Sequence, residues 1–345
     1  MSVVRAADDS AAMRVNGYLT SLVLEDPSNL VPGWVVVCAT SYPAAIRAAV
    51  LVKVDWTPGD SAKVSERDIL DRGAGQIAAR QGGALLVDDP GIDSAFHADA
   101  STLERTYTTA SVLHGQLEPV NALAFEKDGR FEVHCGNQNQ SLSMLSRALR
   151  LPRDRIIMRT YPIGGGFGRR LNGDYAVPAA LAAKALGKPV KLVLTRPDDM
   201  RFDSFRSPSI QKLRIAFDVQ GKVAAMEHHA SAGWPTEAGV THTGLPKAPD
   251  GNPYDPFAID GADHWYNVGA QRVRALEQSC PQCVSSRLQC TEVQWRGATT
   301  RPQSPLWRIK QGTDGHRHRR HNRNDSKAEL PSTRTMAHFS SSLID

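Results

Sequence analysis

The sequence predicts an α+β fold. Short runs with a two-residue hydrophobic period recur along the body, helical runs are fewer, and a break in composition near residue 277 ends the patterned region. A length of 345 residues allows two domains and a sizeable core.

The first region begins with Trp34-Val35-Val36-Val37-Cys38, which reads as a buried strand. Ser41 is placed to cap a short helix running through Ala49, with Pro43 in its first turn. Residues 51–56 alternate as a strand, and Thr57-Pro58-Gly59-Asp60 ends it. This β-α-β piece predicts part of a small mixed domain. Its opening half is not evident in residues 1–30, and residues 60–100, polar and rich in glycine, read as a connector with short helices at most.

The second region starts near residue 103. Residues 103–109 and 118–125 read as strands, and Asp128-Gly129 marks a hairpin into a strand over 131–135. Residues 141–149 have a helical period and Pro152 follows. Residues 156–161 form a strand running into a glycine loop. Asp174 is placed to cap a helix over 175–186, stopped by Gly187, with Pro178 near the limit of what its first turn tolerates. Residues 190–195 follow as a strand, and 211–217 and 222–229 are set to pair around Asp218-Val219-Gln220-Gly221.

Charge is unevenly placed. The net +5 hides a tail from residue 278 that carries 11 Lys/Arg against 5 Asp/Glu, so the body is near neutral. A near-neutral body argues against a nucleic-acid partner. No stretch approaches the roughly 18 apolar residues of a membrane span. The first 30 residues lack the order of a signal peptide, and the compartment stays open between cytoplasm and periplasm. Cys38 and Cys135 sit in strand-like runs and read as buried free thiols. His228-His229 invites a metal reading, but adjacent strand side chains face opposite ways. No metal-ligand set is assigned.

The chemistry concentrates at Gly164-Gly165-Gly166-Phe167-Gly168-Arg169-Arg170. Four glycines around one aromatic let backbone N–H groups approach a ligand and permit positive φ at several positions. A dinucleotide fingerprint is excluded, because the glycine spacing is wrong and no helix follows directly. A Walker loop is excluded because no Gly-Lys-Ser/Thr follows. A tight turn without a ligand remains the plain alternative.

The context of the loop resembles the molybdenum hydroxylases, the family of xanthine dehydrogenase and aldehyde oxidase. It is most similar to the large, molybdopterin-binding subunit of the isoquinoline 1-oxidoreductase (beta-subunit) type. The resemblance is carried by Leu151-Pro152-Arg153-Asp154-Arg155-Ile156, the loop itself, Asp174-Tyr175-Ala176, residues 183–191, Thr195-Arg196-Pro197-Asp198-Asp199-Met200 and Arg206. A weaker likeness extends upstream through His114-Gly115-Gln116-Leu117-Glu118-Pro119 and residues 49–56.

The resemblance implies a partial hammerhead-like domain and connector over 1–100, the N-terminal part of a molybdopterin-binding domain over 101–277, and a tail over 278–345. It implies a molybdenum–molybdopterin cofactor in its cytosine dinucleotide form, bound through Gln138, Gly164, Gly165, Gly166, Phe167, Gly168 and Arg169. Phe167 and Arg206 would line the substrate pocket. The implied reaction is hydroxylation of a small aromatic heterocycle or an aldehyde with water as oxygen source, electrons leaving through a separate 2Fe–2S small subunit. Leu171 stands where the xanthine-oxidizing branch has Glu, which disfavors purines. Glu118 is open to two readings, a general base or a buried carboxylate paired with an arginine.

The family's general base is a Glu in a Gly-x-Gly-Glu motif, and this sequence contains none. No catalytic residue is therefore assigned, and a catalytically inactive truncated remnant is the alternative reading. The break at 277–280 predicts a frameshift, with a disordered, basic, out-of-frame tail; a native disordered tail is the alternative. A weak zinc reading attaches to Cys280, Cys283 and Cys290 with the His316–His321 cluster.

Overall fold

Period-2 runs become strands, and where the period fails the ladder partner decides. The computed structural model describes residues 3–278, apart from 29–33, 58–62, 98–100, 139–141, 172, 204–205, 207, 235, 237–243 and 263–265. The tail from 279, with its expected disorder, frame shift and zinc cluster, lies outside the described residues.

The N-terminal region holds two antiparallel ladders. Strand β1 (Val3–Asp8) pairs with β4 (Lys53–Thr57), and β2 (Tyr18–Leu24) pairs with β3 (Trp34–Ala39). Thus the opening half does lie within the first 30 residues. Its strands are short and mixed with Ser, Thr and charged residues, so partners rather than pattern define them. Helix α1 (Tyr42–Ala49) is capped by Ser41, whose hydroxyl accepts from the Ala44 N–H at 3.4 Å.

The connector reading is overturned. Helix α2 (Glu66–Ala79) starts with a capping box: the Ser65 N–H donates to Asp68 Oδ2 at 2.8 Å, and Ser65 Oγ accepts from the Asp68 N–H at 3.3 Å. Its glycines hid it from a propensity argument. Gly73 is there because a Cβ would stand 2.6 Å from Gln278 Nε2, so the helix lies against the sheet. Strand β5 (Ala84–Asp88) and helix α3 (Ile92–His97) follow.

Two larger sheets complete the fold. One has the order β5-β13-β12-β11-β6, with β6 at Thr102–Thr109, β11 at Ser209–Phe217, β12 at Val223–Ala232 and β13 at Ala270–Glu277. The expected β11–β12 hairpin forms, in register from Phe217↔Val223 to Ser209↔Ala232. Helices α2 and α3 pack on this sheet.

The other has the order β10-β7-β8-β9, with β7 at Asn121–Lys127, β8 at Arg130–Cys135, β9 at Ile156–Thr160 and β10 at Val190–Val193. The Asp128-Gly129 turn is left-handed at both residues (φ 50° and 72°), as a tight hairpin requires. Strand β7 starts later than its pattern predicts, because Pro119 has no N–H and Glu118 bonds elsewhere. Helices α4 (Leu142–Leu149) and α5 (Ala176–Leu186) join this sheet in the largest core, with Phe131, Val133, Leu145, Leu149 and Ile156. In α5, residues 176–183 are all buried, so this helix is central rather than amphipathic. Pro178 sits in its first turn without breaking it. Asp174 is not its cap; Tyr175 takes that position and the Asp174 carboxylate turns to Arg169.

Helix α6 (Arg196–Arg201), not foreseen, is capped by Thr195, whose hydroxyl accepts from the Asp198 N–H at 3.3 Å. Cys38 and Cys135 are free thiols; Cys135 is buried and Cys38 partly so. Among the described residues no helix is long and apolar enough to cross a membrane.

Candidate active-site loop

Strand β9 delivers the chain to the loop. The Tyr161 N–H still bonds Cys135 O at 3.2 Å, and the backbone then turns away at Gly164. Glu118 meets it there in a reciprocal pair. The Glu118 N–H donates to Gly164 O at 3.1 Å, and the Gly164 N–H donates to Glu118 Oε2 at 2.9 Å. The approach is close enough that a Cβ on Gly164 would stand 2.5 Å from Glu118 Cβ.

Arg170 locks this contact from below. Its side chain is fully buried. Nε donates to Gly165 O, Nη1 to Gly136 O, and Nη2 to both Glu118 O and Glu118 Oε2, each at 2.9 Å. One guanidinium thus ties the loop to the end of β8 and to the segment before β7. The expected Glu118–arginine pair is present, although the carboxylate is 41% exposed rather than buried. Burial raises its pKa, but the Gly164 N–H, Asn121 and Arg170 outweigh that and hold it below the usual glutamate range. A carboxylate so held is a poor general base near neutrality, and its geometry is that of an anchor.

Arg169 is also buried, and its side chain turns inward. It pairs with Asp174, lies 3.0 Å from Asp203 Oδ1 through Nε, and donates from Nη2 to Phe202 O at 3.2 Å. Both guanidiniums lie over the Tyr175 ring, at 5.4 and 5.9 Å from its centroid. Two carboxylates at α6 and just beyond it complete the frame. Asp199 accepts from Gln116 Nε2 at 2.8 Å, the Val120 N–H at 3.2 Å and Arg196 at 2.6 Å. Asp203 accepts from the His114 N–H at 2.7 Å and faces His114 Nδ1 at 2.9 Å. Trp34 stacks on Phe202 at 4.2 Å, joining β3 to this frame.

The other side of the loop is open. Gly165 (φ 89°), Phe167 (φ 51°) and Gly168 (φ 108°) are all left-handed. Left-handed backbone is rare for an aromatic residue. Here it accompanies an outward ring, and Phe167 is 65% exposed. Among the described residues, no acceptor takes the N–H of Gly165, Gly166, Phe167 or Gly168. Gln138 lies beside them. Its N–H donates to Arg170 O at 2.9 Å, its carboxamide has no partner among the described residues, and its Oε1 is 3.2 Å from where a Gly166 Cβ would be. Four unclaimed donors and an amide, next to one exposed ring, can bind an oxygen-rich anionic group and a flat organic molecule together.

The structure therefore brings Gln138 and Gly164–Gly168 together. Arg169 supports the loop from inside. Arg206 is exposed and bridges to Val112, its N–H donating to Val112 O at 2.9 Å. Arg206 forms no ion pair with the nearby carboxylates Asp199 and Asp203, which pair with Arg196 and Arg169. His228 and His229 face opposite ways; His228 Nε2 is 2.7 Å from Gln211 Oε1 and His229 is buried. No group of three or more His, Cys, Asp or Glu residues able to hold a metal occurs among the described residues. The pattern missed the His114–Asp203 and Gln116–Asp199 pairs, which join residues more than 80 positions apart. The only hint was the Arg169-Arg170 doublet before an apolar helix, which demanded buried carboxylates.

Residues 77–258 match the molybdopterin cofactor-binding domain family. The chain is 56% identical over 278 residues to the membrane-bound aldehyde dehydrogenase (pyrroloquinoline-quinone) of Gluconacetobacter polyoxogenes, covering 80% of this chain and 36% of that protein. It is 34% identical over 145 residues to the aldehyde oxidoreductase molybdenum-binding subunit PaoC of Escherichia coli K12, covering 41% of this chain and 20% of that one. The fold is similar to the aldehyde oxidoreductase from Desulfovibrio gigas, with a TM-score of 0.60 at 22% identity, over 80% of this chain and 34% of that chain. Quinoline 2-oxidoreductase from Pseudomonas putida 86 gives a TM-score of 0.54 at 16% identity, over 81% of this chain and 40% of that one. The chain thus spans about a third of the first relative's length.

Proposed function

The chain belongs to the molybdopterin cofactor-binding domain family, and we propose that its glycine loop is one wall of a molybdenum–molybdopterin site in an aldehyde- or N-heterocycle-oxidizing enzyme. The observation that carries this reading is the run of unclaimed N–H groups from Gly165 to Gly168 beside the exposed Phe167 ring. The donor set suits the group: N–H dipoles, three of them on glycines with no Cβ in the way, plus the Gln138 amide, favor anionic oxygen ligands.

When bound, the cofactor supplies two-electron oxidation of a substrate C–H bond, with water as the oxygen source. The chain's own residues do the rest. Gly165, Gly166, Phe167 and Gly168 offer backbone donors, and Gln138 adds a side-chain amide. Phe167 presents a flat apolar face to an aryl aldehyde or heterocycle. Arg206 steers a substrate carbonyl. Glu118, Arg169 and Arg170 keep the loop in shape and touch no ligand. The finer reading is a large subunit of the isoquinoline 1-oxidoreductase type, using the cytosine dinucleotide form of the cofactor and passing electrons to a separate 2Fe–2S subunit.

A second reading follows from one relative. The protein of Gluconacetobacter polyoxogenes is named for pyrroloquinoline quinone, and a quinone bound against the same loop would also use Phe167 as a stacking face. Cofactor extraction from the purified protein separates the two. Molybdenum with an extractable pterin, together with dye-linked oxidation of benzaldehyde or quinoline, supports the first reading. An extractable quinone and no molybdenum supports the second. Folded protein with neither cofactor and no oxidation supports an inactive remnant.

A further inference from the structure

Asp203 and His114 form a second feature at the loop. Asp203 is buried and takes two bonds from one residue, the His114 main-chain N–H at 2.7 Å and ring Nδ1 at 2.9 Å. It also lies 3.0 Å from Arg169 Nε. A carboxylate beside a guanidinium is acceptor-only, so the ring must donate from Nδ1. In a neutral imidazole the other nitrogen, Nε2, then carries a lone pair.

That nitrogen sits at the glycine loop. A Cβ on Gly168 would stand 3.1 Å from His114 Nε2 and 3.2 Å from Cδ2, and Gly168 is held at φ 108°. The last glycine of the loop is therefore required twice, for its backbone angle and for the room it leaves the imidazole. Nε2 has no hydrogen-bond partner among the described residues, and the side chain keeps 9% of its surface exposed. A histidine present only to anchor Asp203 would have no need to lie with its far nitrogen open at the loop.

We propose that His114, locked by Asp203 in the Nδ1–H tautomer, is a hydrogen-bond acceptor site on the glycine loop for a protonated ligand group: a hydroxyl, a water or an N–H. It complements the loop's donors, which select for anionic oxygen. The identity of the ligand rests on the proposed cofactor and substrate reading; the tautomer and the open lone pair do not.

The tautomer is read directly by 15N–1H correlation of histidine-labeled full-length chain at neutral pH, with the His114 signal assigned by its loss in His114→Gln. The Nδ1–H pattern is expected, and Asp203→Asn should convert it to a tautomer mixture. An Nε2–H pattern overturns the proposal, whether or not the protein binds molybdenum.

The acceptor role is read by His114→Asn, whose amide can still donate to Asp203 but has nothing at the Nε2 position. The expected outcome is an unchanged melting midpoint with at least a fivefold rise in KM for 4-hydroxybenzaldehyde, whose hydroxyl can donate to Nε2, in the loaded enzyme. An unchanged midpoint with unchanged KM and kcat overturns the role and leaves only an anchor. If His114→Asn fails to fold, titrating benzyl alcohol into the parent chain decides. An upfield 15N shift at Nε2 upholds the acceptor, and no shift at saturating ligand overturns it.

Discussion

Replacing Arg170 with Ala tests the frame that shapes the loop. The side chain is fully buried and donates at 2.9 Å to four acceptors: Gly165 O, Gly136 O, Glu118 O and Glu118 Oε2. Truncation leaves three carbonyls and one carboxylate oxygen without this donor. An orphaned buried acceptor costs about 1–3 kcal/mol, and breaking a buried ion pair about 3–5 kcal/mol. Glu118 is half-exposed and regains water, and water entering the void can serve the carbonyls, which places the net loss near 4 kcal/mol. For a domain of this size, about 2–4 °C per kcal/mol gives a fall in melting midpoint of roughly 8–16 °C. Near-UV circular dichroism on the full chain reads it. Leu171→Ala, at an exposed neighbor, is the control and should stay within about 0.5 kcal/mol. If Arg170→Ala costs less than about 1 kcal/mol, the claim that this guanidinium sets the loop is wrong.

Other outcomes follow from the same geometry. Gly164→Ala places a methyl 2.5 Å from Glu118 Cβ and should cost about 1–3 kcal/mol, read by urea unfolding. Glu118 is held below the usual glutamate range, so its contribution is complete above that range and lost as pH falls through its folded value. Glu118→Gln should flatten this acid limb in a plot of midpoint against pH. His229 is pushed down to about 4 from 6.5, chiefly by burial, with nearby arginines adding to the fall and Glu227 opposing it. The unfolded chain takes up a proton below pH 6.5 while the folded one resists, so stability declines from there to about pH 4. His229→Leu should remove roughly 3 kcal/mol of that decline.

Regular elements with clean periods were legible in the sequence. Strand β3, the β7–β8 and β11–β12 hairpins, helix α1 with its Ser41 cap and the Gly187 stop of α5 all follow local rules. Elements defined by distant partners were not. Strand β5 gains its identity from pairing with β13 nearly 190 residues away, and α2 carries Gly73 where it lies against Gln278. At the site, the composition of the loop announced a ligand-binding turn. What holds the turn could not be read, because Glu118, Asp199 and Asp203 look like surface carboxylates until folding buries their partners Arg170, Gln116 and Arg169. Buried charges need partners, and a single sequence does not say where these lie.

The central claim is that the open donors of the loop form part of a molybdenum site. Molybdenum per chain, measured by plasma mass spectrometry on protein purified from cells that make the cofactor, tests it most directly when parent and Gly166→Ala are compared. The added methyl crowds Gln138 Oε1 at 3.2 Å and requires no left-handed backbone. The account predicts close to one molybdenum per parent chain and at least a tenfold loss in the variant at equal melting midpoint. Folded parent protein free of molybdenum, or equal metal in both proteins, would contradict it.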